Sequence, residues 1–335
     1  ADTGSEDTGG ASVGGVDTGG TSSGGTATGG ADTGGAGAGG AGGSDACTAA
    51  TGLEAEFPEC FALEIGNGID ATRTDAAIFV STADIQAAYP NFNPNAFVVF
   101  DGTTELATQA VDDDPDGTAD EIVVIANLDP NQTKTLTVRY ATSGTNVRTY
   151  TQRAQALVSP KTGGSWSGNT YNGGAYEDVD FLDLTGHIDH DANYMRFEGP
   201  GWESDRIGHR VYMDRRNAID IFGKKLPGMI LQDIDYTNED YSTMSAWGMD
   251  IMHNGDALGL GSVGTWENGA GVKLSNIQSL SVRILASGPV YALLRMSYGG
   301  WQTNSGTYNV TADISITAGS RVSRYVVNVD GNIPN

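Results

Sequence analysis

The chain is poor in cysteine, histidine and basic side chains. Two Cys, four His and 18 Lys plus Arg stand among 335 residues, against 42 Asp plus Glu. Two cysteines leave no thiolate metal centre to build. A formal net charge of -24 speaks against nucleic acid as a partner, because a polyphosphate needs a basic face that long-range repulsion does not outvote. No apolar run approaches the ~18 residues that a membrane-crossing helix needs, so a soluble chain is expected. The first 43 residues hold no aromatic residue, Leu, Ile or Met, and so have almost nothing to bury in a core.

What fills that first stretch is a pentad repeat ending in Gly-Gly, as in Val16-Asp17-Thr18-Gly19-Gly20 and Ala31-Asp32-Thr33-Gly34-Gly35. Ordering so glycine-rich a backbone costs ~1 to 2 kcal/mol per residue with little burial to offset it. Residues 1–46 are therefore expected to be a disordered linker, and 47–335 one large carbohydrate-active β domain. Cys47 and Cys60 sit at the junction, where a disulfide would suit an exported, periplasmic, cell-surface or extracellular protein. Acidic Gly/Ser/Thr tethers of this kind often follow the lipidated cysteine of bacterial lipoproteins. Outer-membrane anchoring through a lipid outside this chain is thus an expectation, as is a chain that is a processed form or fragment lacking a partner strand at its C-terminal end.

After Cys60, short β-rich runs alternate with Asp-Gly, Asn-Pro, Asp-Pro and Ser-Gly turns. The runs 76–81, 96–100, 121–126, 134–140 and 148–157 are followed in the later half by 279–285, 290–298, 308–317 and 322–330. Only 82–88 reads as a short helix. The spacing predicts an all-β fold, a large antiparallel β-sandwich. One turn carries the pattern D-x-D-x-D-G-x-x-D, with Asp112, Asp114, Asp116 and Asp120 around Gly117. Alternating carboxylates on a sharp turn offer oxygen ligands to a structural calcium. The competing reading is an ordinary Asp-Gly hairpin between Val111 and Ile122.

The chemistry is expected between His187 and His253, which includes all four histidines; seven basic residues lie between Arg196 and Lys225. Residues 193–198 alternate in polarity, and so do 206–214. A hairpin of these two runs across Gly199-Pro200-Gly201 would put Tyr194, Arg196, Glu198, Arg210, Tyr212 and Asp214 on one face. His209 alternates with the apolar side and reads as a packed structural histidine. His187 and His190, three residues apart with carboxylates beside them, suit a base held in one tautomer by Asp, or a metal pair lacking an evident third ligand. Trp166, Trp202 and Trp247 are candidates to stack on sugars, with buried core tryptophans as the alternative. Arg206, Asp250 and His253 complete the expected binding set.

Three stretches carry a resemblance: Asn172-Gly-Gly-Ala-Tyr-Glu-Asp-Val-Asp180, Met195-Arg-Phe-Glu-Gly-Pro-Gly-Trp-Glu-Ser-Asp205, and Arg210-Val-Tyr-Met-Asp-Arg-Arg-Asn-Ala-Ile-Asp-Ile-Phe-Gly-Lys224. Together with the Asp loop and Trp247-Gly-Met-Asp250, they resemble the bacterial domain-of-unknown-function 4861 family. The resemblance implies a sandwich related to galactose mutarotase, export, and work in polysaccharide breakdown. A characterised branch of that family dehydrates unsaturated uronic oligosaccharides from ulvan.

The residues and the resemblance together predict a lyase or dehydratase acting on an acidic oligosaccharide and requiring no cofactor. Arg196 and Arg210 would hold the carboxylate, His187 or His190 would be the base, and Tyr194 or Tyr212 the acid. The alternatives are a noncatalytic carbohydrate-binding or cell-surface module, and a mutarotase or glycoside hydrolase using His with Glu or two facing carboxylates.

Overall fold

A computed structural model describes residues 36–37, 47, 50–234, 241–252, 254–255 and 257–331. Apart from Ala36–Gly37, whose backbone pairs with Ile65 and Glu64, the expected 1–46 linker lies outside the described residues. The Cys47–Cys60 disulfide is formed, with Cα atoms 6.0 Å apart.

The described chain is built of antiparallel sheets, as its strand periods require. Glu121–Leu128, Glu-Ile-Val-Val-Ile-Ala-Asn-Leu, shows how they stack. Its side chains alternate between two faces, and both are apolar. Ile122 and Val124 pack with Phe61, Leu63, Ile78 and Leu136, while Val123 and Ile125 pack with Tyr291, Leu293 and Ala318. The three-stranded sheet Arg73–Ser81, Glu121–Leu128 and Thr108–Val111 is thus covered on both sides. A five-stranded sheet running through Glu59–Gly66, Thr133–Tyr140 and Phe97–Asp101 covers one side.

On the other side lies the sheet Phe181–Leu184, Ser279–Ser287, Tyr291–Thr303, Gly306–Thr317 and Arg324–Asp330. It is also two-faced: Leu293 meets the three-stranded sheet, and Leu294 meets a fourth. That fourth sheet, in spatial order Gly248–Asp250, Ile219–Lys224, Ile207–Val211, Gly201–Ser204 and Ala154–Leu157, forms with it the main sandwich around Trp202, Met213, Leu280, Leu294, Met296 and Ile314. The expected all-β sandwich is what the chain adopts. Thr82–Ala88 is the one α-helix among the described residues, started by Ser81, whose Oγ accepts from the Asp84 amide at 3.3 Å. No helix among them is long and apolar enough to cross a membrane.

One expected element is absent. Residues 193–198 do not form a strand; Met195 makes a single bridge to Pro160, and Arg196–Glu198 is a 3-10 turn. The real hairpin partner of Ile207–Val211 is Gly201–Ser204. The turn is forced by Gly199, where an added Cβ would lie 1.9 Å from the Val211 carbonyl oxygen. Only glycine allows so close a backbone approach, and it bends the chain out of the sheet just where polarity alternation predicted continuation.

Candidate functional site

The 3-10 turn puts Phe197 and Glu198 at φ 39° and 66°, two successive non-glycine residues in the left-handed region. Such backbone costs of order 1 to 3 kcal/mol per residue and persists only where surroundings impose it. Here the Met213 amide donates to the Glu198 carbonyl at 3.0 Å, while the Phe197 ring is buried against Phe222 and Leu231. Both fix Glu198 with its carboxylate pointing inward.

Four side chains then converge. His190 Nδ1 lies 2.7 Å from Glu198 Oε1. Arg216 Nη2 lies 2.7 Å from the same nitrogen, 3.1 Å from Glu198 Oε1 and 2.5 Å from Asp214 Oδ2. His190, Glu198 and Asp214 have the ligand atoms of a metal site, but the Arg216 guanidinium occupies the space between them. A cation would have to evict it, so these residues as arranged do not fit a bound metal. The hydrogen bond at His190 Nδ1 comes from Arg216, which can only donate, so Nδ1 accepts and the neutral ring carries its proton on Nε2; Glu198 Oε1, though 2.7 Å away, accepts no hydrogen bond. The ring, whose side chain is 55% exposed, opens on a hollow of about 360 Å³ walled by Asn169, Thr170, Asp189 and Asp191. Behind it, Asn193, Tyr194, Glu198 and Asp214 line a cleft of about 10 Å³, room for one water.

Of the expected set, His190, Tyr194 and Glu198 therefore share one place. Tyr194 packs at a tilt against Trp166 and Tyr171, with ring centroids 5.1 Å from each, and burial together with Tyr171 holds its hydroxyl pKa above the ordinary phenol value. The rest are placed otherwise. Arg210 is 2% exposed. It donates to Asp220 Oδ2 at 2.7 Å, Asp250 Oδ2 at 3.0 Å, Glu198 Oε2 at 3.3 Å and the Tyr241 hydroxyl at 2.7 Å. It holds the protein's own carboxylates and is closed to a substrate's. Tyr212 gives its hydroxyl proton to Asp220 beside Arg210 and is buried; burial, first of all, pushes its pKa far up. Asp250 is buried in the same knot, where desolvation and neighbouring Asp220 raise its pKa to about 6.

His187 faces inward, its Nδ1 3.1 Å from the Met213 carbonyl, and burial lowers its pKa. Trp202, 1% exposed, stacks on His209 and donates to Ser323 Oγ at 2.8 Å, so it is a core residue. Trp247 packs edge-on against Phe222. Arg206 sits beside Asp205 at the Gly201–Val211 hairpin turn. Arg196 donates to the Gln232 carbonyl at 2.9 Å and lies 5.4 Å over the Tyr176 ring. His253 lies outside the described residues.

Sequence reasoning missed Arg216 as the cluster's cation, and Lys161, whose Nζ donates at 2.9 Å to Asn193, a lining residue of the cleft. The Asp214-Arg215-Arg216 run held a signal, a carboxylate with two cations beside it, but nothing in it said which arginine turns inward. The Asp112–Asp120 loop lies apart, with carboxylate oxygens of Asp112, Asp114 and Asp116 within 4.8 Å of one another. Those oxygens accept backbone amides: Gly117 gives to Asp112 Oδ2 at 2.8 Å, Thr118 to Asp116 Oδ1 at 2.7 Å, and Asp113 to Asp120 Oδ2 at 2.8 Å.

Comparison with known proteins gives the lineage. The model of the family described as "Domain of unknown function (DUF4861)" matches residues 65–335. Uncharacterized protein P7 of Formosa agariphila is 24% identical over 296 residues, covering 80% of this chain and 64% of that protein. The chain thus spans less than two thirds of that relative's length. No solved structure matches. With the family model covering well over half of the sequence, including the strained turn, the His190 cluster and the Arg210 knot, the chain belongs to the DUF4861 family.

Proposed function

We propose that the chain is an exported enzyme of polysaccharide breakdown that takes an acidic oligosaccharide and performs a β-elimination, as a lyase or dehydratase. The observation that carries this reading is the half-exposed His190 imidazole, set against Glu198 and Arg216 at an open surface depression. As the substrate carboxylate draws Arg216 off Nδ1, the ring proton moves to Nδ1 and is given to Glu198, and the bared Nε2 takes the ring C–H proton that the carboxylate acidifies, through the existing double bond where the uronate is already unsaturated. The C–H pair becomes the new double bond, the C–O bond at the neighbouring carbon breaks, and the departing oxygen takes the Tyr194 hydroxyl proton, leaving as water in a dehydration or as the alcohol of the released sugar in a chain cleavage. Arg216 and Lys161 replace Arg196 and Arg210 as the cations for the substrate carboxylate.

The test is incubation of the protein with unsaturated uronic oligosaccharides, following double-bond absorbance and product mass. His190→Ala is expected to retain binding and to lose turnover by ~10² to 10⁴. Saturable binding without turnover in the unaltered protein would replace this reading by the noncatalytic binding module. A structural calcium held by Asp112, Asp114, Asp116 and Asp120 is part of the same proposal, supported by the clustering of their carboxylates.

A further inference from the structure

The hairpin Lys161–Ser167 and Thr170–Tyr176 stands over the candidate site, and its turn residues Asn169 and Thr170 wall the hollow in front of His190. Most of it is small and polar, and its two strands lie close. Gly174, at φ 77°, would put an added Cβ 2.2 Å from the Thr162 carbonyl oxygen, so glycine is needed there for backbone reasons. Against that background the hairpin carries one cross-strand aromatic pair, Trp166 opposite Tyr171, with ring centroids 5.3 Å apart. Tyr194 closes the triangle at 5.1 Å from each. The inner members are accounted for: Tyr171 is 8% exposed and Tyr194 lines the cleft beside Glu198. Trp166 is not, for it remains 49% exposed at the outer corner.

Edge-on to Tyr171 and tilted against Tyr194, the Trp166 ring is braced by both and still leaves about half of the residue open to solvent. Held in place at no further entropy cost, an open aromatic face takes the axial C–H face of a pyranose. Positive charge stands at the base of the same hairpin, where Lys161 lies 5.0 Å and Arg196 5.4 Å over the ring of Tyr176. That charge suits a sugar bearing a carboxylate or sulfate.

We infer that Trp166 is the stacking platform for the sugar unit next to the one facing His190, so that the site takes a chain of at least two acidic sugars rather than a monosaccharide. The inference rests on the function proposed above and adds the direction in which the substrate leaves the hollow, along the Lys161–Tyr176 hairpin.

Its test compares a uronic monosaccharide, as its methyl glycoside, with the unsaturated uronic tetrasaccharide released by a polysaccharide lyase, on the unaltered protein and on Trp166→Ala, Trp166→Phe and Trp266→Ala. Trp266, 76% exposed on the separate hairpin Gly264–Glu267 and Ala270–Lys273, is the control for an aromatic that merely faces solvent. Trp166→Ala is expected to raise KM or Kd for the tetrasaccharide about tenfold while changing Kd for the monosaccharide less and leaving kcat near its original value. Trp166→Phe should recover most of the loss, and Trp266→Ala should change nothing. Equal weakening of both sugars, a fall confined to kcat, or no effect in Trp166→Ala would overturn the platform while leaving the proposed function standing. If the unaltered protein neither binds nor converts either sugar, the function itself fails, and the platform with it.

Discussion

Arg210 shows how a residue's neighbours decide its work. From the sequence it is a cation on a polar strand face, the natural holder of a substrate carboxylate; in the fold its guanidinium is spent on Glu198, Asp220 and Asp250. It is a positioning residue, and through Glu198 it bears on His190. Removing one member of a buried ion network leaves its partners as uncompensated charges, a cost of ~3 to 5 kcal/mol. Arg210→Met is therefore expected to lower unfolding stability by about that amount in urea titrations at pH 7. Asp250→Asn should cost clearly less, because burial and Asp220 already raise the Asp250 pKa to about 6, so that giving up its charge is less costly. Equal losses in the two variants would contradict this division of roles.

Elements differ in how far their own residues dictate them. Most of Glu121–Leu128 and the first part of Tyr291–Thr303 were legible because they are runs rich in apolar and β-forming residues, and both strands sit between two sheets. Residues 193–198 have the same alternation and yet form a 3-10 turn. The Gly199 contact with the Val211 carbonyl and the burial of Phe197 outweigh a short polarity pattern with no neighbouring strand along its length. The Asp112–Asp120 loop is an element whose fold its own amides already satisfy, so calcium would add to a formed loop rather than create it. Adding calcium chloride to the chelator-treated protein is expected to raise the melting temperature by a few degrees, and Asp112→Asn to remove that rise. A melting temperature indifferent to calcium would leave the loop as a plain turn.

For the molecule as a whole, stability is tied to groups sealed between the layers. His209 is 3% exposed, stacked 5.3 Å from Trp202, with Nδ1 3.2 Å from the Asp220 carbonyl. Burial lowers its pKa to about 4. The folded chain thus binds fewer protons here than the unfolded chain, whose histidine titrates near 6.5. This contribution is fully present above pH 6.5 and is lost as pH falls towards 4, an effect on the order of 3 kcal/mol. His209→Phe keeps the stacking and gives up one hydrogen bond, so it should cost about 1 kcal/mol at pH 7. It should also flatten the fall in stability between pH 6.5 and 4, measured by denaturant unfolding across that range. A fall as steep as in the unaltered protein would place its origin elsewhere.

By itself the amino-acid order determined the all-β class, most strands of the two-faced sheets, the Thr82–Ala88 helix and the Cys47–Cys60 pairing. These follow from local periodicity, turn residues and composition, which act over a few positions. Which charged groups meet was decided only by tertiary structure. Arg210 and Arg216 lie six residues apart with similar surroundings in the chain, but one is sealed among carboxylates under Tyr212 and the other is turned towards His190. Electrostatic partners are chosen by distance in space, and here a backbone contact at Gly199 and a strained pair at Phe197 and Glu198 set those distances.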